Sequence, residues 1–124
     1  MKVLNFLLVA VAIFLFSSVV YAKGETYKDA EKLLDAGDYT KAEDVLKNLI
    51  SSEPNNAKYH QLLGDAYRKG GRLGEALLEY EKAKKLGGEN VELLKNIGTT
   101  HKWMKNYDDA AASYKRALQL NPGD

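Results

Sequence analysis

The sequence predicts an all-α fold in which three two-helix units stack after an N-terminal signal helix. Three observations predict this fold. Residues 1–22 are apolar and differ in composition from the rest, residues 23–124 repeat at a spacing of 34 residues, and apolar residues recur at helical spacing within each repeat. The chain has no cysteine and a formal net charge of +1, which argues against disulfides, thiolate metal sites and nucleic-acid binding.

The first element, residues 1–22, has the pattern of a secretory signal peptide. Lys2 precedes an apolar run over residues 3–16, and Val20 and Ala22 lie three residues and one residue before a cleavage point. The run is short for a membrane span, which needs about 20 apolar residues. It comes close to that length when the count continues through the two serines to residues 19–21. We expect cleavage after Ala22 and export to the periplasm or the medium. Without cleavage the segment would anchor the protein in the inner membrane.

The repeat appears when residues 57–90 are shifted onto residues 91–124, and more weakly onto residues 23–56. The pairs that match between the second and third repeats are Gly64 and Gly98, Ala76 and Ala110, Tyr80 and Tyr114, Ala83 and Ala117, and Leu86 and Leu120. A two-helix unit cannot bury its apolar face alone, so the units are expected to stack and to form an extended groove.

Apolar stripes predict two helices within each unit. In the second unit they comprise Tyr59, Leu63, Ala66 and Tyr67, then Leu73, Ala76, Leu77, Tyr80 and Ala83. In the third unit they comprise Leu94, Ile97, Gly98 and His101, then Tyr107, Ala110, Ala111, Tyr114, Ala117 and Leu118. Large residues alternate with Ala and Gly, which suits close helix crossings. The polar junction residues, Asn55, Asn90, Gly37-Asp38 and Lys105-Asn106, are expected to form caps and turns.

Two pairs of segments resemble the tetratricopeptide repeat (TPR) family. They are LLGDAY with GEALLEYEKAKKL, and NIGTTH with NYDDAAASYKRALQLNPGD. The resemblance covers residues 23–124 and is weaker in the first unit, which has Thr26 and Asp29 where large apolar residues are usual. It implies a right-handed α-solenoid of three helix-turn-helix TPR units (23–56, 57–90 and 91–124) with six antiparallel helices. It also implies that the first helix of each unit lines a concave groove, which binds a peptide or a partner protein without catalysis.

Groove candidates are the residues of each first helix that lie away from its apolar stripe. They are Tyr27, Glu31, Gln61, Asp65, Arg68, Lys69, Lys95, Thr99, Lys102 and Trp103, together with Leu34, Lys58 and Glu92. The formal charges of the three units are −3, +2 and +1, so the groove should be acidic at its N-terminal end and basic toward its C-terminal end. A partner with an acidic segment would complement the basic end. The alternative is that these charges form an ordinary solvated surface.

Other classes of function are not expected. Some TPR proteins bind a chain-terminal carboxylate, but the matching positions here supply no cation; they are Tyr27, Glu31, Leu62, Glu92 and Asn96. No serine lies in a G-x-S-x-G elbow, and only two histidines are present. We therefore expect no enzyme activity, no catalytic or metal-binding residues, no cofactor and no nucleic-acid partner.

A second hypothesis is a self-associating scaffold of an envelope complex. The outer side of the last helix is expected to leave Ala111 and Leu118 uncovered, and an uncovered apolar strip favours a partner or a homo-oligomer. The alternative is that the aliphatic parts of Lys115 and Arg116 cover it.

Overall fold

A computed structural model describes residues 24–123, so the predicted signal segment lies outside the described residues. These residues form six helices: α1 (Tyr27–Asp35), α2 (Tyr39–Ser52), α3 (Ala57–Lys69), α4 (Leu73–Gly87), α5 (Val91–Trp103) and α6 (Tyr107–Leu120). Turns join them and no strand occurs between residues 24 and 123, which confirms the all-α class. None of the six combines the length and hydropathy needed to cross a membrane.

The helices follow the repeat in the sequence. α2, α4 and α6 begin at Tyr39, Leu73 and Tyr107, which are 34 residues apart, and α3 and α5 begin at the same spacing. α1 is the exception, with 9 residues against 13 in α3 and α5. It begins late because the Thr26 backbone N–H donates to the Asp29 carboxylate at 2.7 Å, which caps the helix at this point.

The bend of each hairpin needs a left-handed backbone. Gly37 and Gly71 have φ of 80° and 84°, and Lys105 takes the same place in the third unit with φ of 64°. Glycine adopts this conformation without steric cost, whereas a side chain is strained there. The third hairpin thus has the same bend as the other two without the residue that suits it.

Helix caps sit close to the expected positions, with one correction. Asn90 accepts the Leu93 backbone N–H at 2.8 Å and caps α5 as expected. At α3 the cap is Asn56, which accepts the Lys58 N–H at 3.1 Å, and not the preceding Asn55. The first helical residue is Ala57, so only Asn56 has the backbone position from which its side chain can reach the free N–H groups.

Glycine and tyrosine pack the two helices of a unit together. A Cβ on Gly64 would lie 2.5 Å from the Tyr80 ring, and a Cβ on Gly98 would lie 2.8 Å from the Tyr114 ring. Tyr80 is completely buried. The absence of a side chain at Gly64 and Gly98 is therefore what admits each tyrosine, as the alternation of small and large residues predicts.

One core runs through the three units. Its buried residues extend from Ala30 in α1 to Ile97 in α5, because α3 packs on α2 and α5 packs on α4. Buried His60 strengthens the second unit, since its Nδ1 lies 2.7 Å from the Glu79 carboxylate and its Nε2 lies 2.7 Å from the Pro54 carbonyl oxygen. This stacking leaves the first helices α1, α3 and α5 side by side, where they form the floor of the groove.

Candidate functional site

An open pocket of about 270 Å³ lies between α1, α3 and α5, and we call it the groove pocket. It is lined by Glu31, Leu34, Asp35, Lys58, Leu62, Asp65, Lys69 and Glu92. The i, i+4 spacing of a helix explains the set, since Glu31 and Asp35 share one face of α1, and Lys58 and Leu62 share one face of α3. The first helices line this surface, as the sequence predicts.

The groove pocket is polar, with two acidic lining residues on α1 and one each on α3 and α5. Glu31 and Asp35 project from α1, and Lys58 of α3 forms an ion pair with Glu31 at 3.3 Å. Both partners of this pair are about 40% exposed, so water screens the interaction and its contribution to stability is small. These charges remain accessible to an incoming ligand.

Asp65 connects three helices beneath the groove pocket. Its residue exposure is only 7%, and it accepts the Tyr80 hydroxyl at 2.6 Å and the Asn96 side-chain amide at 3.0 Å. Burial raises the pKa of the Asp65 carboxyl, while the Tyr80 hydrogen bond and the Arg68 charge act in the opposite direction. Burial and the same carboxylate raise the pKa of Tyr80. Asp65 therefore holds α4 and α5 to α3 and presents little surface to a partner.

Arg68 is also committed within the fold. Its Nε donates to the Tyr80 hydroxyl at 3.0 Å, and its guanidinium lies 3.7 Å from Asp65 and 5.5 Å from the centre of the Trp103 ring. Its side chain is 12% exposed. The contact with Trp103 brings the C-terminal ends of α3 and α5 together, and it holds an indole that is 51% exposed.

The remaining candidates divide between the groove and other surfaces. Lys69 lines the groove pocket, Lys102 is exposed near the end of α5, and Tyr27 is 37% exposed at the start of α1. Gln61 differs from the expectation of an exposed groove residue. It is 6% exposed and accepts a hydrogen bond from the Asn90 side chain at 3.3 Å, because α5 packs over this side of α3.

Neither Lys95 nor Thr99 lines the groove pocket. Lys95 lines a separate cleft of about 210 Å³ with Tyr114, Ala117 and Leu118, and the Thr99 hydroxyl lies 3.0 Å from the Tyr114 hydroxyl. Of the basic candidates, Lys58 and Lys69 line the groove pocket, Lys102 is exposed near the end of α5 outside that lining, and Arg68 is engaged within the fold. Leu62 and Asp35 are pocket residues that were absent from the groove candidates, although the i+4 spacing from Lys58 and Glu31 could have identified them.

The described residues offer no constellation for metal chemistry. Within residues 24–123 there is no group of three or more His, Asp or Glu side chains that could hold a metal ion. The charged groups of the groove pocket come from three helices and have both signs, an arrangement suited to ion pairs and hydrogen bonds with a ligand.

Family models for the tetratricopeptide repeat match residues 27–90 and 91–124. Among solved structures, MamA (41-end) from Desulfovibrio magneticus RS-1 is 22% identical with a TM-score of 0.75, over 97% of this chain and 70% of that chain. The Arabidopsis OM64 TPR domain is 23% identical with a TM-score of 0.74, over 78% of this chain and 80% of that chain.

A third similar structure is the first TPR of Spaghetti (RPAP3) bound to the HSP90 peptide SRMEEVD. It is 20% identical with a TM-score of 0.74, over 78% of this chain and 77% of that chain. No curated protein matches the sequence. At these identities the structural likeness establishes the solenoid fold.

Proposed function

The chain belongs to the tetratricopeptide repeat family, and from this premise we propose that it is a non-enzymatic protein-interaction module. Its groove holds a peptide or an extended segment of a partner protein. The observation that carries the proposal is the open groove pocket between α1, α3 and α5, whose charged lining is accessible from solvent. A TPR structure of the same fold is bound to a peptide, which supports this use of the groove.

The partner segment is oriented by charge and anchored by Trp103. The acidic residues Glu31 and Asp35 lie on α1, whereas Lys69 and Lys102 lie at the adjoining ends of α3 and α5. A segment with carboxylates toward the two lysines therefore has a favoured direction. The exposed indole of Trp103 is held against Arg68, and a rigid, half-exposed tryptophan is a typical binding hot spot for an apolar side chain.

The module acts outside the cytoplasm, as a periplasmic or secreted adaptor. The signal pattern of residues 1–22 supports this location, and contact with the membrane is limited to that segment if it is retained. Intact-mass measurement of the protein recovered from cells tests the proposal. We expect the mass of a chain that begins at Lys23. The mass of a chain that still includes Met1, found in a membrane fraction, would show that the protein is anchored in the membrane and not released.

The groove is tested by affinity capture from an envelope extract, with wild type and three variants whose helical content is first checked to equal that of wild type. Trp103→Ala removes the anchor and Lys69→Glu reverses a charge at the basic end. Lys85→Glu is the matched control, since Lys85 is exposed on α4 outside the groove pocket. We expect a partner that wild type and Lys85→Glu retain and that the two groove variants lose. Equal capture by all four proteins would show that the groove is not the binding surface.

The second candidate function is the self-associating scaffold. Among residues 24–123, Leu118 is 50% exposed and Ala111 is exposed on α6, which supports this candidate. This face shares no residue with the lining of the groove pocket, so the two functions can be separated by mutation.

A further inference from the structure

Four residues of α6 form an exposed stripe. Tyr107, Ala111, Tyr114 and Leu118 follow one another at intervals of four, three and four, so they lie along one side of the helix; we call them the α6 stripe. Tyr107 is 64% exposed, Leu118 is 50% exposed, Ala111 is exposed and Tyr114 is partly buried. Tyr114 rests against Gly98 of α5, and within residues 24–123 no helix other than α5 packs on α6, so Tyr107, Ala111 and Leu118 are left open to solvent.

The same positions are covered in the two preceding units. In α4 they are Leu73, Leu77, Tyr80 and Lys84, and in α2 they are Tyr39, Glu43, Leu46 and Ile50. All eight are partly or fully buried, since α5 packs on α4 and α3 packs on α2. The α6 stripe has the composition of a helix contact, and at its last position it carries a leucine where α4 carries a lysine. An apolar row of this kind marks an interaction surface.

We propose that the α6 stripe binds the α6 stripe of a second copy of this chain, with the two helices antiparallel about a two-fold axis. The charges beside the stripe select this orientation. Asp108 and Lys115 each follow a stripe tyrosine, are both exposed, and are seven residues apart, so they lie on the same flank of α6. Antiparallel pairing brings the same flank of the two helices together and places each Asp108 opposite the Lys115 of the other copy. Parallel pairing sets this flank against the opposite flank, so Asp108 and Lys115 do not meet.

Head-to-tail stacking of α1 on the α6 stripe is disfavoured by the sequence of α1. Two repeat positions are buried in both α3 and α5. They hold Leu63 and Ala66 in α3, and Ile97 and Thr100 in α5. The same positions in α1 are Asp29 and Lys32, of which Lys32 is exposed. α1 therefore offers charge where a covering helix needs apolar surface. A closed pair with a self-complementary contact is favoured over an open chain of copies.

The pairing leaves the grooves available. No residue of the α6 stripe lines the groove pocket, so a dimer presents two grooves. A partner with two binding segments would then bind with higher avidity, because the second contact is intramolecular. The contact itself is small. A 14-residue helix is about 21 Å long, and one helix pair buries less than the roughly 1,200 Å² of a stable interface. Dimerisation is therefore expected to depend on concentration in the micromolar range.

Sedimentation velocity tests the pairing on protein expressed from the full-length sequence and purified in the form that the cells retain, over about 1–500 µM. Wild type is expected to show a monomer–dimer equilibrium. Leu118→Lys copies the residue found in α4 and should weaken dimerisation about a hundredfold, since an apolar contact is lost in both copies. Lys85→Asp is the control on the exposed side of α4 and should have no effect.

A charge exchange tests the orientation. Asp108→Lys or Lys115→Asp alone makes both cross-copy pairs repulsive and should weaken dimerisation about tenfold. An equal mixture of the two single variants should restore it, because each copy then faces opposite charges, and so should the double variant. Circular dichroism checks that each variant is folded.

Each result decides the proposal. Wild type that remains monomeric over the whole range overturns it, as does a dimer that Leu118→Lys does not weaken. Single variants that weaken the dimer but are not rescued by mixing overturn the antiparallel arrangement. Loss of the dimer in Leu118→Lys with partner capture unchanged would separate this contact from the proposed groove function, which stands or fails on Trp103→Ala and Lys69→Glu.

Discussion

Gly64→Ala tests how the helical hairpins are packed. The added Cβ would lie 2.5 Å from Cε1 and 2.6 Å from Cδ1 of Tyr80, closer than carbon atoms approach in folded proteins. Tyr80 cannot swing aside freely because it is 0% exposed. Its hydroxyl donates to Asp65 at 2.6 Å and accepts from Arg68 at 3.0 Å, so any shift of the ring also strains this network.

The magnitude follows from three contributions. Overpacking a rigid core costs about 1–3 kcal/mol. Weakening the hydrogen bond to the buried Asp65 carboxylate adds about 1 kcal/mol. Alanine is favoured over glycine within a helix by about 0.5–1 kcal/mol, which offsets part of the loss. We expect the free energy of unfolding to fall by about 2 kcal/mol and the midpoint of thermal unfolding to fall by about 10 °C.

Urea and thermal unfolding, followed by far-ultraviolet circular dichroism, measure this effect against two matched variants. Gly74→Ala makes the same change on α4, where no atom lies within 4 Å of the new Cβ, and should raise the free energy of unfolding. Gly98→Ala meets Tyr114 at 2.8 Å, but this ring is only partly buried, so the loss should be smaller than at Gly64. A Gly64→Ala protein as stable as wild type would refute the packing argument.

Lys105→Gly should raise the free energy of unfolding by about 1 kcal/mol in urea titrations, since Lys105 has φ of 64°. Gly71→Ala should lower the free energy of unfolding by a similar amount. No change in either variant would contradict the argument that a side chain is strained at this bend. Ala83→Lys should lower it by more than about 3 kcal/mol because Ala83 is 2% exposed; an unaltered melting temperature would contradict the repeat register. Burial raises the pKa of Asp65 above 3.8, so the folded state binds this proton more tightly than the unfolded chain. The free energy of unfolding of wild type should therefore fall relative to that of Asp65→Asn as the pH rises from about 4 through the raised pKa. If the two proteins show the same dependence of stability on pH, Asp65 makes no such contribution.

The helices, their order and the bend positions could be predicted from the sequence because they depend on local spacing. Tyr80 and Tyr114 matched at a shift of 34 residues, and the structure places both against a glycine of the same hairpin. Ala111 and Leu118, which were expected to be uncovered, are exposed on α6. The family matches over residues 27–124 agree with this interpretation.

The groove residues were predicted less well. Helical spacing placed Glu31 and Lys69 in the groove pocket, but it also suggested Gln61, which is buried under α5. A helix has one spacing and several neighbours, so periodicity alone cannot tell which polar side faces solvent and which faces the next unit. Arg68 illustrates the difficulty, since a basic residue next to Lys69 is held by Tyr80, Asp65 and Trp103.

The amino-acid sequence was therefore sufficient for the family, the six helices and their repeat, because capping, turn geometry and apolar periodicity act within a few residues of each position. The division of polar residues between the interior and the groove was decided by the stacking of the units. Asp65 accepts hydrogen bonds from residues 15 and 31 positions later in the chain, and Trp103 meets Arg68 only because α3 and α5 end side by side. Contacts between residues so far apart depend on how the units pack, and this packing assigns Asp65 to the interior and Lys69 to the groove.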